Sequence, residues 1–183
     1  MATLTPADWI RAATVRLAAG GVDAVRVESL AKELGVSKGS FYWHFEDRDA
    51  LLQAVLEGWH AQGTRAVITA VEAAASTPRE RLLALMREAY AVTGYEGFEI
   101  AVRAWAATDS RAREAVIAVD RARIHYVAEL LEAAGVERAA ARHRAGVLYR
   151  ALLGEYVMRS YGTQPPTDDG TDVLELIAPS TSP

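Results

Sequence analysis

Polar side chains that could bind an anionic partner cluster in one short segment of the chain. Lys38, Ser40, Tyr42 and His44 occupy alternate positions, and each can donate a hydrogen bond. Such donors suit the phosphate oxygens of a nucleic acid, and a lysine also suits the edge of a guanine. Arg48 follows at the predicted start of the next helix, where the helix N-terminus itself favours an anion. The pattern indicates DNA contact through a few placed residues.

The residues before this segment predict the element that would position it. Leu30, Ala31 and Leu34 have helical spacing, and Gly35 stands where a helix ends, because glycine tolerates the left-handed conformation. The hydroxyl of Ser37 is predicted to cap the next helix. Two short helices joined by so tight a turn form a helix-turn-helix unit, whose second helix enters the major groove of DNA.

The second helix of this unit is predicted to have a buried face and an outer face. Phe41 and Phe45 are four residues apart and are predicted to lie in the core, which leaves Tyr42 outside. Trp43 is predicted to pack near the backbone. The alternatives are a solvated surface role for Lys38 and ordinary core roles for Tyr42 and His44.

Composition excludes several classes of protein. Hydrophobic residues make up 51% of the 183 residues, which supports a folded core. The chain has no cysteine, so disulfides and cysteine catalysis are excluded. With a net charge of −4, DNA affinity cannot come from bulk positive charge. We expect a cytoplasmic protein, because no signal peptide precedes the first helix and no apolar run approaches the roughly 20 residues that span a bilayer.

Apolar periodicity predicts helices throughout and no strand. Thr5-Pro6 and Thr77-Pro78 are typical helix starts, with a capping residue followed by proline. The predicted helices span residues 6–19, from 28 to the turn at 35, 37–45, 47–75, 78–92, 97–107, 110–134, 137–160 and 171–177. Gly58 and Gly63 are predicted to mark bends or close approaches within the longest of them.

From Leu30 to Leu52 the chain resembles the TetR family of transcriptional regulators. The resemblance depends on Leu34-Gly35-Val36-Ser37, Ser40-Phe41-Tyr42-Trp43-His44-Phe45 and Asp47-Arg48-Asp49-Ala50-Leu51-Leu52. Arg26 departs from the family pattern, in which Ser or Thr is common at that position. Beyond this segment only the number and order of helices match.

The resemblance implies an all-α homodimer. A three-helix, helix-turn-helix head, predicted at residues 1–48, would be joined by a long fourth helix to a helical body for effector binding and dimerisation. The body is predicted at residues 49–178, and residues 179–183 are predicted to be a mobile tail. The implied function is a repressor that a small, partly apolar effector releases from double-stranded operator DNA. The alternatives are a regulator without a ligand, and a helical small-molecule-binding protein or enzyme with a non-functional head.

Three sets of site residues follow from these arguments. The predicted DNA contacts are Arg26, Ser37, Lys38, Gly39, Ser40, Tyr42, His44 and Arg48. The predicted effector contacts are Trp59, Arg87, Tyr90, Trp105, Arg123, Tyr126 and Tyr149. The predicted dimer-interface residues, which give one helix a face rich in small side chains, are Ala141, Ala145, Leu148, Leu152 and Tyr156.

The second and third sets have ordinary structural alternatives. Any of the body aromatics can be a core residue. Arg123 could pair with a glutamate such as Glu88 or Glu99 instead of facing an anionic ligand. The small-residue face could equally be buried core of the body.

No enzyme chemistry is predicted. His60, His125 and His143 lack metal-ligand spacing, and no nucleophile–base arrangement or phosphate-binding loop is present in the sequence. We therefore predict no metal, no cofactor and no catalytic residue.

Overall fold

The computed structural model describes residues 4–91, 96–163, 171, 174 and 175, and these contain helices and no strand. Two of its helical segments are not α-helical: a 3₁₀ turn at Val22–Ala24 and a π-helical segment at Ala61–Ala66. The α-helices are α1 Pro6–Gly20, α2 Val27–Glu33, α3 Lys38–Tyr42, α4 Arg48–His60, α5 Val67–Ala74, α6 Pro78–Ala91, α7 Glu96–Ala106, α8 Ser110–Ala133 and α9 Arg138–Ser160. The all-α prediction is confirmed.

The chain forms two compact units, 1–61 with 97–117, and 62–96 with 118–183. The first has a core in which α1 packs on α2 and α4, with fully buried Trp9, Leu30, Phe41 and Leu51. In the second, buried side chains of α6, α8 and α9 form one cluster, which includes Leu82, Met86, Leu131 and Ala145. The predicted division into functional domains near residue 48 stays a prediction.

Gly35 ends α2 as predicted, with a φ of +68°. Around it, Gly35 N donates to Lys32 O (3.3 Å) and Val36 N donates to Ala31 O (3.0 Å). This paired pattern is the Schellman motif, which a residue without Cβ adopts at little cost. The sharp turn that separates α2 from α3 therefore depends on a backbone conformation that other residues rarely take.

The predicted cap of α3 is wrong in its detail. Ser37 occupies the N-cap position, but its side chain makes no capping hydrogen bond. Its carbonyl accepts from Ser40 N instead, at 3.0 Å. α3 is also shorter than predicted, because the backbone leaves the helix after Tyr42, and the carbonyl of Phe41 then accepts from the N–H groups of both His44 and Phe45.

The predicted continuous helix from 47 to 75 is interrupted. α4 ends at His60, and the π-helical segment lies between it and α5. The carbonyl of Gly63 accepts from Arg123 Nη2 at 3.1 Å. A side chain that bonds to the helix backbone in this way is a recognised cause of local irregularity, and this long-range contact accompanies the interruption. Of the predicted helix 171–177, the described residues 171, 174 and 175 are helical, and the rest, like the predicted tail, lies outside the described residues.

Asp47 caps α4 through its side chain, since Oδ1 accepts from Ala50 N at 2.8 Å. We expect Asp47→Ala to lower the free energy of unfolding by about 1 kcal/mol, because it removes a cap without removing buried surface. Urea denaturation followed by circular dichroism measures this loss. The matched control is Glu46→Ala, which removes the same charge from the neighbouring exposed position. Equal stability of the two variants would contradict the capping role.

Candidate DNA-binding surface and effector pocket

Phe41 sets the orientation of α3. Its side chain is fully buried, with its ring edge-on to Trp9 at 5.3 Å between centroids and stacked on Phe45 at 5.6 Å. Successive helical residues are rotated by about 100°, so burial of Phe41 turns Tyr42 away from the core. The core positions of Phe41 and Phe45 agree with the sequence-based prediction.

The outer face of α3 and the following turn carries the polar cluster. Tyr42 is 54% exposed, Lys38 and Gly39 are exposed, and Ser40 and His44 are partly exposed. Trp43, which was predicted to pack near the backbone, is 88% exposed. That prediction was wrong because α3 ends at Tyr42, and the turn points the indole away from the core. A large exposed aromatic beside Tyr42 therefore adds to the surface available to a partner.

The ammonium group of Lys38 is not unopposed on this surface. Its Nζ forms an ion pair with Glu28 Oε1 of α2, and both side chains are at least half exposed. The hydrogen bond from Lys38 holds the pKa of Glu28 below its usual value, and the same contact raises the pKa of Lys38. Both groups are therefore ionised at neutral pH. A phosphate of DNA would compete with this carboxylate for the Lys38 ammonium.

Two predicted phosphate-binding arginines make backbone contacts. Arg48 Nε donates to Val25 O at 2.6 Å, and its Nη2 donates to Val22 O. Arg26 is exposed, and its Nε donates to Asp23 O at 3.1 Å. Arg48 thus holds the connection between α1 and α2 to the start of α4. Its role as a phosphate contact stays a prediction.

The second unit contains a cavity of about 270 Å³ among α5, α6, α8, α9 and the π-helical segment. Three of the predicted effector residues, Arg123, Tyr126 and Tyr149, line it. The walls are mostly apolar. The other lining residues are Gln62, Gly63, Thr64, Val67, Ile68, Leu85, Met86, Glu88, Ala89, Val127, Leu148, Leu152 and Tyr156.

A hydrogen-bonded group forms one polar part of the cavity wall. Arg123 Nε donates to Thr64 Oγ1 and Nη2 donates to Gly63 O, both at 3.1 Å. Its Nη1 lies 3.4 Å from Tyr149 Oη, which donates to Asp120 Oδ1 at 2.7 Å. The sequence-based alternatives for Arg123 were an anionic ligand or a glutamate. Its contacts include oxygens of the π-helical segment and of Tyr149.

The other four predicted effector residues do not line the cavity. Trp59 and Trp105 are buried in the first unit, where Trp59 Nε1 donates to Glu99 Oε2 at 3.1 Å. Tyr90 is buried in the second unit with the guanidinium of Arg159 over its ring. Arg87 is exposed on α6. Core packing thus explains the three aromatics better than ligand contact does.

The predicted dimer-interface residues do not form an exposed surface of the single chain. Ala141, Ala145, Leu148, Leu152 and Tyr156 are all buried in the core of the single chain. Their small side chains allow α9 to pack closely within its own unit, so this face is not available to a second copy. Leu148, Leu152 and Tyr156 instead line the cavity.

Sequence reasoning missed most of the cavity wall. The π-helical segment contributes Gln62, Gly63 and Thr64, and the only signal for it was the glycine at position 63. Leu85 and Met86 have the spacing of ordinary core residues, so nothing in their pattern distinguishes a cavity wall from a filled core.

The described residues offer neither a metal site nor a membrane-spanning helix. Within the described ranges, no group of three or more His, Asp or Glu residues could hold a metal ion. None of the helices described above is both long and apolar enough to cross a bilayer.

The buried aromatic anchor beneath a short second helix with outward donors is the arrangement of a helix-turn-helix unit. Residues 10–55 match the family model for bacterial regulatory proteins of the TetR family. A 62-residue stretch is 42% identical to the class A tetracycline repressor protein from transposon 1721 of Escherichia coli. This match covers 34% of the chain and 29% of the length of that relative.

Solved structures share the fold over nearly the whole chain. A putative TetR-family transcriptional regulator from Rhodococcus sp. is 21% identical, with a TM-score of 0.74 and coverage of 97% of this chain and 98% of its own. Reduced E. coli NemR is 19% identical, with a TM-score of 0.77 and coverage of 94% and 95%. Residues 10–55 thus match the TetR family of regulatory proteins, and nearly the whole chain shares the fold of these two solved structures.

The Lys38–Glu28 ion pair leads to a testable prediction. We expect Glu28→Gln to tighten binding to a random-sequence DNA duplex severalfold at low salt, because it removes a nearby negative charge and frees Lys38 for a phosphate. Fluorescence anisotropy across a salt series measures the change, which should shrink as salt rises. The control is Glu114→Gln, which removes one carboxylate at an exposed position of α8. Equal affinity of the two variants would show that the pair does not compete with DNA.

Proposed function

We propose that the protein is a dimeric cytoplasmic repressor that binds operator DNA through α3 and is released from it by a small-molecule effector. Residues 1–48 would serve as the DNA-binding domain and residues 49–178 as the effector-binding and dimerisation domain. The observation that carries the DNA-binding step is the outward polar face of α3 within the TetR-family match. The cavity in the second unit supports the release step.

DNA recognition would combine phosphate contacts with base contacts. Lys38, Ser40 and His44 can donate to phosphate oxygens, and the exposed hydroxyl of Tyr42 can do the same. Gly39 leaves the backbone open to close approach, since a Cβ there would meet only Ser37 Oγ at 3.6 Å. Phosphate contacts place the helix in the groove, and the base edges supply specificity.

Release would depend on a difference in effector affinity between two states of the protein. An effector that binds the DNA-free state more tightly shifts the population toward that state, whereas one with equal affinity for both states shifts nothing. Two recognition helices in a dimer must match successive major grooves, about 34–36 Å apart. A shift that changes this spacing would release the operator.

Loss of the proposed DNA contacts should weaken binding without unfolding the chain. We expect Lys38→Ala to reduce the slope of log affinity against log salt by about 1 per protomer, because one phosphate contact disappears. Tyr42→Ala should weaken binding at least tenfold to a duplex that the wild type selects from a random library. Gel-shift titration measures both effects, with melting temperatures to confirm folding.

The matched control for this test is Arg142→Ala, which also removes one positive charge but from an exposed position on α9. It should leave DNA affinity unchanged. If all three variants bind DNA like the wild type, the proposed reading face is wrong.

The dimer would form through a different face of α9 from the one predicted by sequence. Val147, Ala151, Gly154 and Met158 are all exposed, and their spacing of four, three and four residues places them on one helical face. A Cβ at Gly154 would meet nothing within 4 Å in its own chain. An apolar stripe with a small residue at its centre allows two helices to approach closely.

A charge in this stripe should prevent dimerisation. We expect Met158→Glu to raise the dimer dissociation constant at least tenfold, because an unpaired carboxylate would be buried at the interface. Sedimentation velocity on a dilution series measures the constant. Gly154→Trp should act in the same direction by steric block, while Arg142→Ala should leave the constant unchanged. Wild-type association in both interface variants would overturn the proposed face.

A further inference from the structure

The three tyrosine side chains of the cavity wall offer no hydroxyl proton to a ligand. Tyr149 Oη donates to Asp120 Oδ1 at 2.7 Å, and Tyr156 Oη donates to Ala89 O at 3.1 Å. The hydroxyl oxygen of Tyr126 lacks a partner, but it is buried out of reach of solvent. A ligand acceptor inside the cavity would therefore gain no hydrogen bond from any of the three in this structure.

Arg123 is the one basic residue on the wall, and each of its three side-chain nitrogens contacts a protein oxygen. Nε donates to Thr64 Oγ1 and Nη2 donates to Gly63 O, both at 3.1 Å, and Nη1 lies 3.4 Å from Tyr149 Oη. A ligand carbonyl or carboxylate at this group would compete with those oxygens for the same donors. Since the rest of the buried wall is mostly apolar, the interior of the cavity suits a hydrocarbon better than an acceptor.

Two exposed residues mark the end of the cavity that meets solvent. Of the residues on the wall, only Gln62 and Glu88 are exposed. Both also line an adjoining groove on α5 and α6, together with Val67. Glu88 is the only acidic residue of the cavity wall, and its carboxylate forms no hydrogen bond or ion pair with any residue that the structure describes. It can therefore accept a hydrogen bond from a ligand at this opening.

We propose that the effector is an amphiphilic cation whose hydrocarbon part fills the cavity and whose ammonium group lies beside Glu88. The inference rests on the proposed effector step and names its ligand class. A cavity of about 270 Å³ holds on the order of ten non-hydrogen atoms, since a water molecule occupies about 30 Å³ in the liquid. Mostly apolar walls with a few polar groups are typical of sites for such molecules.

Charge at the opening favours a cation over an anion. An ammonium group is attracted by the Glu88 carboxylate, whereas a ligand carboxylate is repelled by it. Because Glu88 is exposed, the gain is that of a surface ion pair, about threefold in affinity, and it falls as salt rises. Most of the affinity would come from the hydrocarbon, since each buried CH₂ group tightens binding about fourfold.

Three eight-carbon probes test this ligand class on the full-length protein without DNA. n-Octylammonium carries a positive charge, n-octanol is neutral and n-octanoate carries a negative charge. At low salt we expect octylammonium to bind about threefold more tightly than octanol, and octanoate to bind most weakly of the three. n-Hexanol should bind about tenfold more weakly than octanol, because two fewer CH₂ groups are buried. Isothermal titration calorimetry measures the four constants.

Glu88→Gln should abolish the preference for octylammonium over octanol and leave the affinity for octanol unchanged. Without ligand, this variant should melt at the wild-type temperature, because the exposed carboxylate has no protein partner to lose. The matched control is Glu114→Gln, which removes one carboxylate from an exposed position on α8 and should change none of the constants.

Several results would overturn the inference. They are tightest binding of octanoate, equal binding of octylammonium and octanol by the wild type, a preference for octylammonium that survives in Glu88→Gln, or no binding of any probe at millimolar concentration. A gel shift with the library-selected duplex separates this from the proposed function. If octylammonium binds through Glu88 but leaves the duplex bound, the ligand-class inference stands and the release step fails. If the duplex binds but no probe does, DNA binding stands and the inference fails.

Discussion

The burial of Phe41 is the constraint on which the DNA-binding surface depends. A five-residue helix such as α3 has too few hydrogen bonds to hold its own orientation, so packing must supply it. Contact with Trp9 and Phe45 does so. Once the ring of Phe41 is inside, helical rotation places Tyr42 outside, and the end of α3 turns Trp43 away from the core.

The positively charged side chains of the first unit act through individual contacts and not through bulk charge, since the chain has a net charge of −4. Lys38 is paired with Glu28, and Arg48 donates to backbone carbonyls of the 22–25 connection. The cations nearest to the proposed DNA surface therefore also organise the protein itself. An anion at this surface would compete with these protein partners for the same cations.

In the second unit, Arg123 has a comparable organising role. It bonds to Gly63 and Thr64 of the π-helical segment and contacts Tyr149 of α9. These contacts satisfy polar groups of Gly63, Thr64 and Tyr149 along one part of the cavity wall. They also link the π-helical segment to the rest of the second unit.

Local signals in the sequence determined the helical fold and the head. Glycine at position 35, the aromatic spacing of Phe41 and Phe45, and the Thr-Pro starts act within a few residues, so their effects can be read without knowledge of distant contacts. Only the tertiary structure decided where the long helix is interrupted, which residues line the cavity and whether each aromatic residue after position 48 is core or cavity wall. These features depend on contacts between residues up to 60 positions apart, such as the bond from Arg123 to Gly63. The small-residue face of α9 shows the reason. Helical periodicity determines which residues share a face, but whether that face meets its own chain or a second copy depends on packing that no local pattern encodes.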